Sequence, residues 1–299
     1  MARNQYYTEG QQAAISNIRI AFFLNFGFTI MEIIGGMLTN SVAIISDALH
    51  DLGDSLSLGL SWYFQKLSNK KRDKRFSFGY KRFSLLAAII NSLILIIGSI
   101  FVLNETIPRL FAPETTSAKG MLILAVFGII INGIAVFKLK KGTSLNEKVV
   151  YLHLLEDVLG WVAILITSIV MIFTKLSILD PVLSVLITSY VLFNVLKNLK
   201  SGFLIFLQAI PTEIETKKIE TQIKNLPKVR GVHDLHIWTM DGKYNVLTIH
   251  IVLKSIADFN EIKTIKHKAK AILKELNIQH ATVEIDMEDE NCELENCST

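Results

Sequence analysis

From Ala21 to Phe206 the chain alternates long apolar runs with short polar breaks, and no other feature limits its fold so severely. A bilayer core about 30 Å thick is crossed by a helix of about 20 mostly apolar residues. Six stretches meet that requirement, near 19–39, 42–63, 83–104, 118–137, 150–173 and 177–197. They are too long for membrane strands and lack a two-residue alternation, so helices are predicted. With 51% hydrophobic residues, a wholly soluble chain is excluded. The first run is too long for a cleavable signal and carries Asn25 and Glu32, so it reads as the first span. Beyond "LQAIPTEIE" charged residues are dense and no run approaches spanning length. The expected division is a membrane domain at 1–210, a cytoplasmic domain at 211–290 and an acidic tail at 291–299.

Orientation follows from the cations in short loops. "QKLSNKKRDKRFSFGYKR" sets Lys66, Lys70, Lys71, Arg72, Lys74, Arg75, Lys81 and Arg82 against the single acid Asp73, and "KLKKGTSLNEK" is also basic. The loops after the first, third and fifth spans carry few cations, which puts both termini in the cytoplasm. This basicity belongs to a membrane surface, and no recognition motif accompanies it, so nucleic acid is not an expected partner. Cys292 and Cys297, the only cysteines, lie in the tail on the reducing side, where a structural disulfide is not expected.

The second span contains "DALHDLGD", with Asp47, His50, Asp51 and Asp54 in eight residues. At about 100° per residue, these four side chains fall within about 100° of one another on a single helix face. An aspartate at mid-bilayer costs about 2.5–3.5 kcal/mol, so such a stripe faces protein, water or a cation rather than lipid. In the fifth span "HLLEDVLGW" repeats the spacing: His153 and Asp157 match His50 and Asp54, with Glu156 alongside. Two such faces brought together offer two imidazoles and two carboxylates, a tetrahedral set suited to Zn²⁺ and unlike the all-oxygen shells of magnesium or calcium. Asp47 and Asp51 are candidates for orienting the histidines or relaying protons, and Asp47 is assigned the orienting role. Asn25, Asn91 and Asn132 read as interhelical hydrogen-bond partners, while Glu32 is left open between lining the cavity and no role.

"GGMLTNSVAIISDALHDLGD", "FSFGYKR", "HLLEDVLGW" and "GVHDLHIW" resemble the cation diffusion facilitator family, in particular its zinc-transporting branch, over nearly the whole chain. The resemblance implies a homodimer in a bacterial inner membrane, with six spans per subunit and a ferredoxin-like cytoplasmic domain. It also implies export of Zn²⁺ from the cytosol in exchange for protons, with His50, Asp54, His153 and Asp157 as the transport site. Three features depart from the family: Phe83 and Ser84 stand where a glutamate is frequent, the loop before the fifth span lacks a histidine-rich insert, and "KKRDKRFSFGY" has no histidine. Exporters of Co²⁺ or Cd²⁺ from the same family would use similar ligands. A metal sensor, a metal-gated channel and a membrane metalloenzyme are the competing classes, although no H-E-x-x-H motif occurs for the last.

The cytoplasmic part reads αββαβ. Thr212 and Glu215 have capping-box spacing and predict a helix start. Asp241-Gly242 is a two-residue hairpin signal joining "VHDLHIWTM" to "KYNVLTIHIVL". With that turn, opposed residues number to a constant sum of 483, which sets His233 across from His250. Directly opposed Cβ atoms lie about 4.5–5.5 Å apart, close enough for two imidazoles to share one Zn²⁺. Asp286 on the last strand is placed to add a carboxylate, and the family resemblance points to the same three positions as a regulatory site. His236, His267 and His280 are assigned no ligand role.

Overall fold

The computed structural model describes residues 23, 26–68, 70–139, 145–254 and 257–287. Six helices come first: α1 (Phe26–Thr39), α2 (Val42–Ser68), α3 (Phe83–Phe111), α4 (Ala118–Leu139), α5 (Leu145–Thr174) and α6 (Leu179–Phe206). Among the described residues, three segments are long and apolar enough to cross a membrane, Phe83–Phe111, Leu155–Thr174 and Leu179–Phe206, while Phe26–Thr39 and Ala118–Ile134 are shorter apolar helices. The described parts of Met1–Phe64 and Ala87–Leu199 form one compact unit, and those of Gln65–Leu86 and Lys200–Thr299 another.

In the helical unit the usual distribution of side chains is reversed. Phe101, Phe137 and Phe173 are exposed, whereas Ser46, Ser99, Ser168 and Ser184 are buried between helices. Lipid is as apolar as phenylalanine, so hydrophobicity does not drive these helices together; close packing and interhelical hydrogen bonds do. Ser46 and Ser184 are hydrogen-bonded at 2.6 Å, and Ser184 reaches Thr106 at 3.0 Å. Phe28, Ile44, Met121, Trp161 and Ile164 make the apolar core. Trp161 lies flat against Gly128, where an added Cβ would come within 2.2 Å of its ring. Only glycine lets α4 and α5 approach so closely.

The start of α2 is fixed from another helix. Asn40, with φ 53°, makes the turn out of α1, a conformation that asparagine tolerates. Asp180 of α6 then accepts hydrogen bonds from the Ser41 hydroxyl (2.5 Å) and the Val42 N–H (2.9 Å). The carboxylate satisfies donors that a helix N-terminus otherwise leaves open.

The second unit carries α7 (Thr216–Lys224), β1 (Val229–Thr239), β2 (Asn245–Leu253), α8 (Phe259–Glu275) and β3 (His280–Asp286). β1 pairs antiparallel with β2, and β2 runs parallel to β3. Leu247, Ile249, Ile251, Ile219, Ile223 and Leu273 form its core, between the sheet and its helices. The capping box expected at Thr212 and Glu215 is not formed: α7 begins at Thr216 with Glu215 as an N-cap lacking a side-chain hydrogen bond. The box stands on α8, where Asp258 and Glu261 exchange bonds with each other's backbone N–H. Both N-cap residues are extended, but only the shorter Asp258 side chain turns back onto its own first turn.

The hairpin also differs from the expected two-residue turn. Met240 donates to the Tyr244 carbonyl, the Asp241 side chain accepts from the N–H groups of Lys243 and Tyr244, and Gly242 takes a φ of +83°. The aspartate's turn bonds close a loop one residue longer than a two-residue turn. Thr239 therefore pairs with Asn245 and His236 with Thr248, a sum of 484 rather than 483. A bulge between His233 and His236 returns the sum to 483, so His233 does pair with His250.

The loop between α2 and α3 belongs to the same unit. Phe78 packs edge-on to His280 at 5.5 Å, and the Lys81 ammonium sits 4.3 Å above the Tyr244 ring. Asp73 organises this loop by accepting from the Tyr80 hydroxyl and from the N–H groups of Arg75 and Phe76. Those bonds, the tyrosine's foremost, hold its carboxyl below the usual carboxylate range.

Candidate metal centres

The first cluster lies on α2 and α5. His50 Nε2 is 3.7 Å from Asp54 Oδ2, one turn along α2, and both residues are half-buried. Asp157 of α5 is 7% exposed. One ligand atom from each of these three lies within 4.8 Å of the other two. His153 sits on α5 one turn before Asp157, but its side chain is outside the described residues. Three of the four expected ligands are thus brought together.

Asp47 is buried at 5% exposure, and its Oδ1 faces Gly160, where an added Cβ would lie 3.2 Å away. Gly160 follows Asp157 by three residues on the same face of α5. Asp47 therefore stands where α2 and α5 meet, beside the cluster. Two further acids accompany it: Asp51 is 4% exposed, and Glu32 of α1, which lies against Asp51, is 1% exposed. Spacing alone leaves the cavity-lining role of Glu32 open; an acid in the middle of an apolar run is the signal that it faces inward. Asn132 is buried, but its Nδ2 and the Oδ1 of Asn91 have no hydrogen-bond partner among the described residues, and Asn25 lies outside them.

The second cluster lies on the sheet of the second unit. His233 Nε2 is 2.7 Å from Asp286 Oδ2, and His250 Nδ1 is 3.1 Å from the same oxygen. The two imidazoles approach at 5.1 Å between centroids. All three side chains are between 11% and 14% exposed, enclosed enough to limit competition from water. His233, His250 and Asp286 hence form a second group able to hold one ion, with nitrogen and oxygen donors that suit a borderline cation.

Asp234 has no counterpart in the sequence reading. It occupies the bulge with φ 45°, and its carboxylate bonds His236 Nε2 at 2.7 Å while standing 3.5 Å from His250 Nε2. Spacing carried its signal. Val232, Leu235 and Ile237 all pack on the core, three residues apart and then two, and a strand that skips a beat in its apolar period holds an extra residue. His267 and His280 join neither cluster. Cys292 and Cys297 lie outside the described residues.

Residues 18–207 match the cation efflux transmembrane domain, and residues 211–289 match the cytoplasmic domain of cation efflux proteins. The chain is 33% identical to the "Cadmium, cobalt and zinc/H(+)-K(+) antiporter" of Bacillus subtilis, over 91% of this chain and 89% of that one. It is 34% identical to the "Metal cation efflux system protein CzcD" of Cupriavidus metallidurans, over 91% and 86%. The "Zinc transporter ZitB" of Pectobacterium atrosepticum is 30% identical, over 100% and 92%. A helical membrane domain followed by a cytoplasmic domain with a small sheet, carrying metal-ligand clusters in both, places this chain in the cation efflux family, that of the cation diffusion facilitators.

Proposed function

We propose that this chain is a secondary transporter that moves divalent metal, zinc foremost, out of the cytosol in exchange for protons. One observation carries the reading: His50, Asp54 and Asp157 converge within 4.8 Å inside an apolar helical unit. Buried ionisable groups are too costly in a membrane to serve as packing alone. His153 completes the set as the fourth ligand, and Asp47 orients it from the α2–α5 contact. Six spans per subunit, domain limits at 210 and 290, a ferredoxin-like cytoplasmic domain and a homodimer are parts of the same reading. So are cytoplasmic termini in a bacterial inner membrane, and the loop bearing Lys70 to Arg82 packs with residues of the cytoplasmic domain, which supports that orientation.

The coupling follows from the ligands. Metal binding requires neutral imidazole and ionised carboxylate, so zinc and protons compete for the same side chains. Alternating access to the site then exchanges one for the other across the membrane. Histidine, which ordinarily titrates near pH 6.5, at about the working pH, is the natural proton carrier. Within the cytoplasmic domain, His233, His250 and Asp286 bind a regulatory ion that ties β1 to β3 and favours the transport-ready dimer by differential binding.

Proteoliposomes containing the full chain test this. An imposed pH gradient is expected to drive zinc accumulation, with flux absent when the gradient is collapsed. Vesicles that bind zinc without accumulating it would leave a sensor, and a continuous conductance in planar bilayers would leave a channel. A broader substrate range is a second reading favoured by the names of two relatives, and Co²⁺ and Cd²⁺ as competitors in the same assay separate it from zinc selectivity.

A further inference from the structure

At Asp234 the chain adopts a backbone that aspartate seldom takes, φ 45°, within a strand that pairs on both sides of it. Such conformations persist where the surroundings hold them, and they gather at functional sites. The bulge has two consequences. It turns both His233 and Asp234 to the face of the sheet that bears His250, while Val232 and Leu235 stay on the core. It also sets a carboxylate against each nitrogen of one imidazole: Asp286 Oδ2 at 3.1 Å from His250 Nδ1, and Asp234 Oδ2 at 3.5 Å from His250 Nε2.

A metal shared by His233, His250 and Asp286 needs His250 to offer Nδ1 unprotonated, which places its proton on Nε2. Imidazole ligands are fixed in one tautomer by an acceptor for the other N–H. Two carboxylates stand at 3.5 Å from Nε2. Glu284 is 64% exposed, and its attraction is weakened by water. Asp234 is 10% exposed, and its other oxygen is anchored by His236 at 2.7 Å.

We propose that Asp234 is a positioning residue of the cytoplasmic metal site: its carboxylate accepts the Nε2 proton of His250 and so presents Nδ1 to a metal held with His233 and Asp286. The proposal rests on the reading of that cluster as a metal site. It gives His236 a task as well, that of holding the aspartate in place, and it explains why the strained residue is an aspartate and not a glycine.

The test uses the full-length chain in detergent, with Asp54→Ala and Asp157→Ala silencing the membrane cluster, titrated with zinc by calorimetry. Asp234→Gly removes the carboxylate but suits the left-handed backbone, so the bulge survives. Zinc affinity is expected to fall about 10- to 100-fold, the usual effect of losing such a partner. The metal-free melting temperature should stay level or rise, and the visible spectrum of Co²⁺ at the site should keep its bands, because no ligand is lost. Asp234→Asn tolerates the same backbone and keeps an uncharged acceptor, so an intermediate affinity is expected and a folding defect in the glycine variant would not spare the proposal. Parental affinity in both variants, or a shifted Co²⁺ spectrum indicating direct ligation, would overturn the positioning role alone. A parent that binds no zinc, or binds it equally well with His233→Ala, would overturn the metal site and the proposal together.

Discussion

His233 and His250 face each other across β1 and β2 with ring centroids 5.1 Å apart, although the hairpin joining them is one residue too long to oppose them by itself. At the register set by the loop, a sum of 484, His233 would stand opposite Ile251, whose side chain points into the core. The bulge at Asp234 removes that offset. Because a strand's side chains alternate, one residue of slip decides whether the two imidazoles share a face.

Each histidine of this pair supplies one of three ligands, so His233→Ala and His250→Ala are expected to weaken cytoplasmic zinc binding by more than about 100-fold, beyond the effect of a supporting residue. Calorimetry on full-length protein lacking the membrane ligands measures it.

In the membrane cluster, Asp54→Ala or Asp157→Ala leaves a partial shell that holds a hydrated ion weakly. Zinc flux into proteoliposomes is expected to drop to the level of protein-free vesicles. Rapid flux through either variant would remove these residues from the transport site.

His50→Asp exchanges a borderline nitrogen for a hard oxygen, which favours Mn²⁺ relative to Zn²⁺. Competition assays should show Mn²⁺ inhibiting the variant's zinc flux and leaving the parent's nearly untouched.

Gly128→Ala drives a methyl group into the ring of Trp161, a large side chain 1% exposed in the helical core. Overpacking of this kind costs about 1–3 kcal/mol, and a displaced α5 carries Asp157 of the metal cluster with it. A lower melting temperature in detergent, together with reduced zinc flux, is the expected result.

Asp73 gives a pH-dependent prediction outside the membrane. Its carboxyl is held below the usual range chiefly by the Tyr80 hydroxyl, so the ordered loop gains support that is complete above the ordinary carboxylate range and fades as pH falls through the lowered folded value. Tyr80→Phe should move the Asp73 titration, followed by carboxyl carbon NMR, upward toward the ordinary range. An unmoved midpoint would place the cause elsewhere.

Much was determined by the sequence alone. A membrane solvent follows from the lengths of the apolar runs, and the polar stripe of α2 follows from the spacing of Asp47, His50, Asp51 and Asp54, because helix geometry converts both directly into position. The order of elements in the cytoplasmic domain was legible for the same reason: alternation and helical periodicity are local. A two-residue turn, which the protein does not make, predicts the pairing of His233 with His250, and the pairing holds because the longer loop at Asp241 and the bulge at Asp234 cancel. Only the tertiary structure decides such a register, since it depends on which side chains the core accepts from β1, namely Val232, Leu235 and Ile237, and that selection is made by β2 and the helices packed behind it. The same holds for Asp180 at the start of α2 and for Gly160 beside Asp47. Each is an encounter between helices distant in the chain, settled by packing rather than by any pattern within either helix.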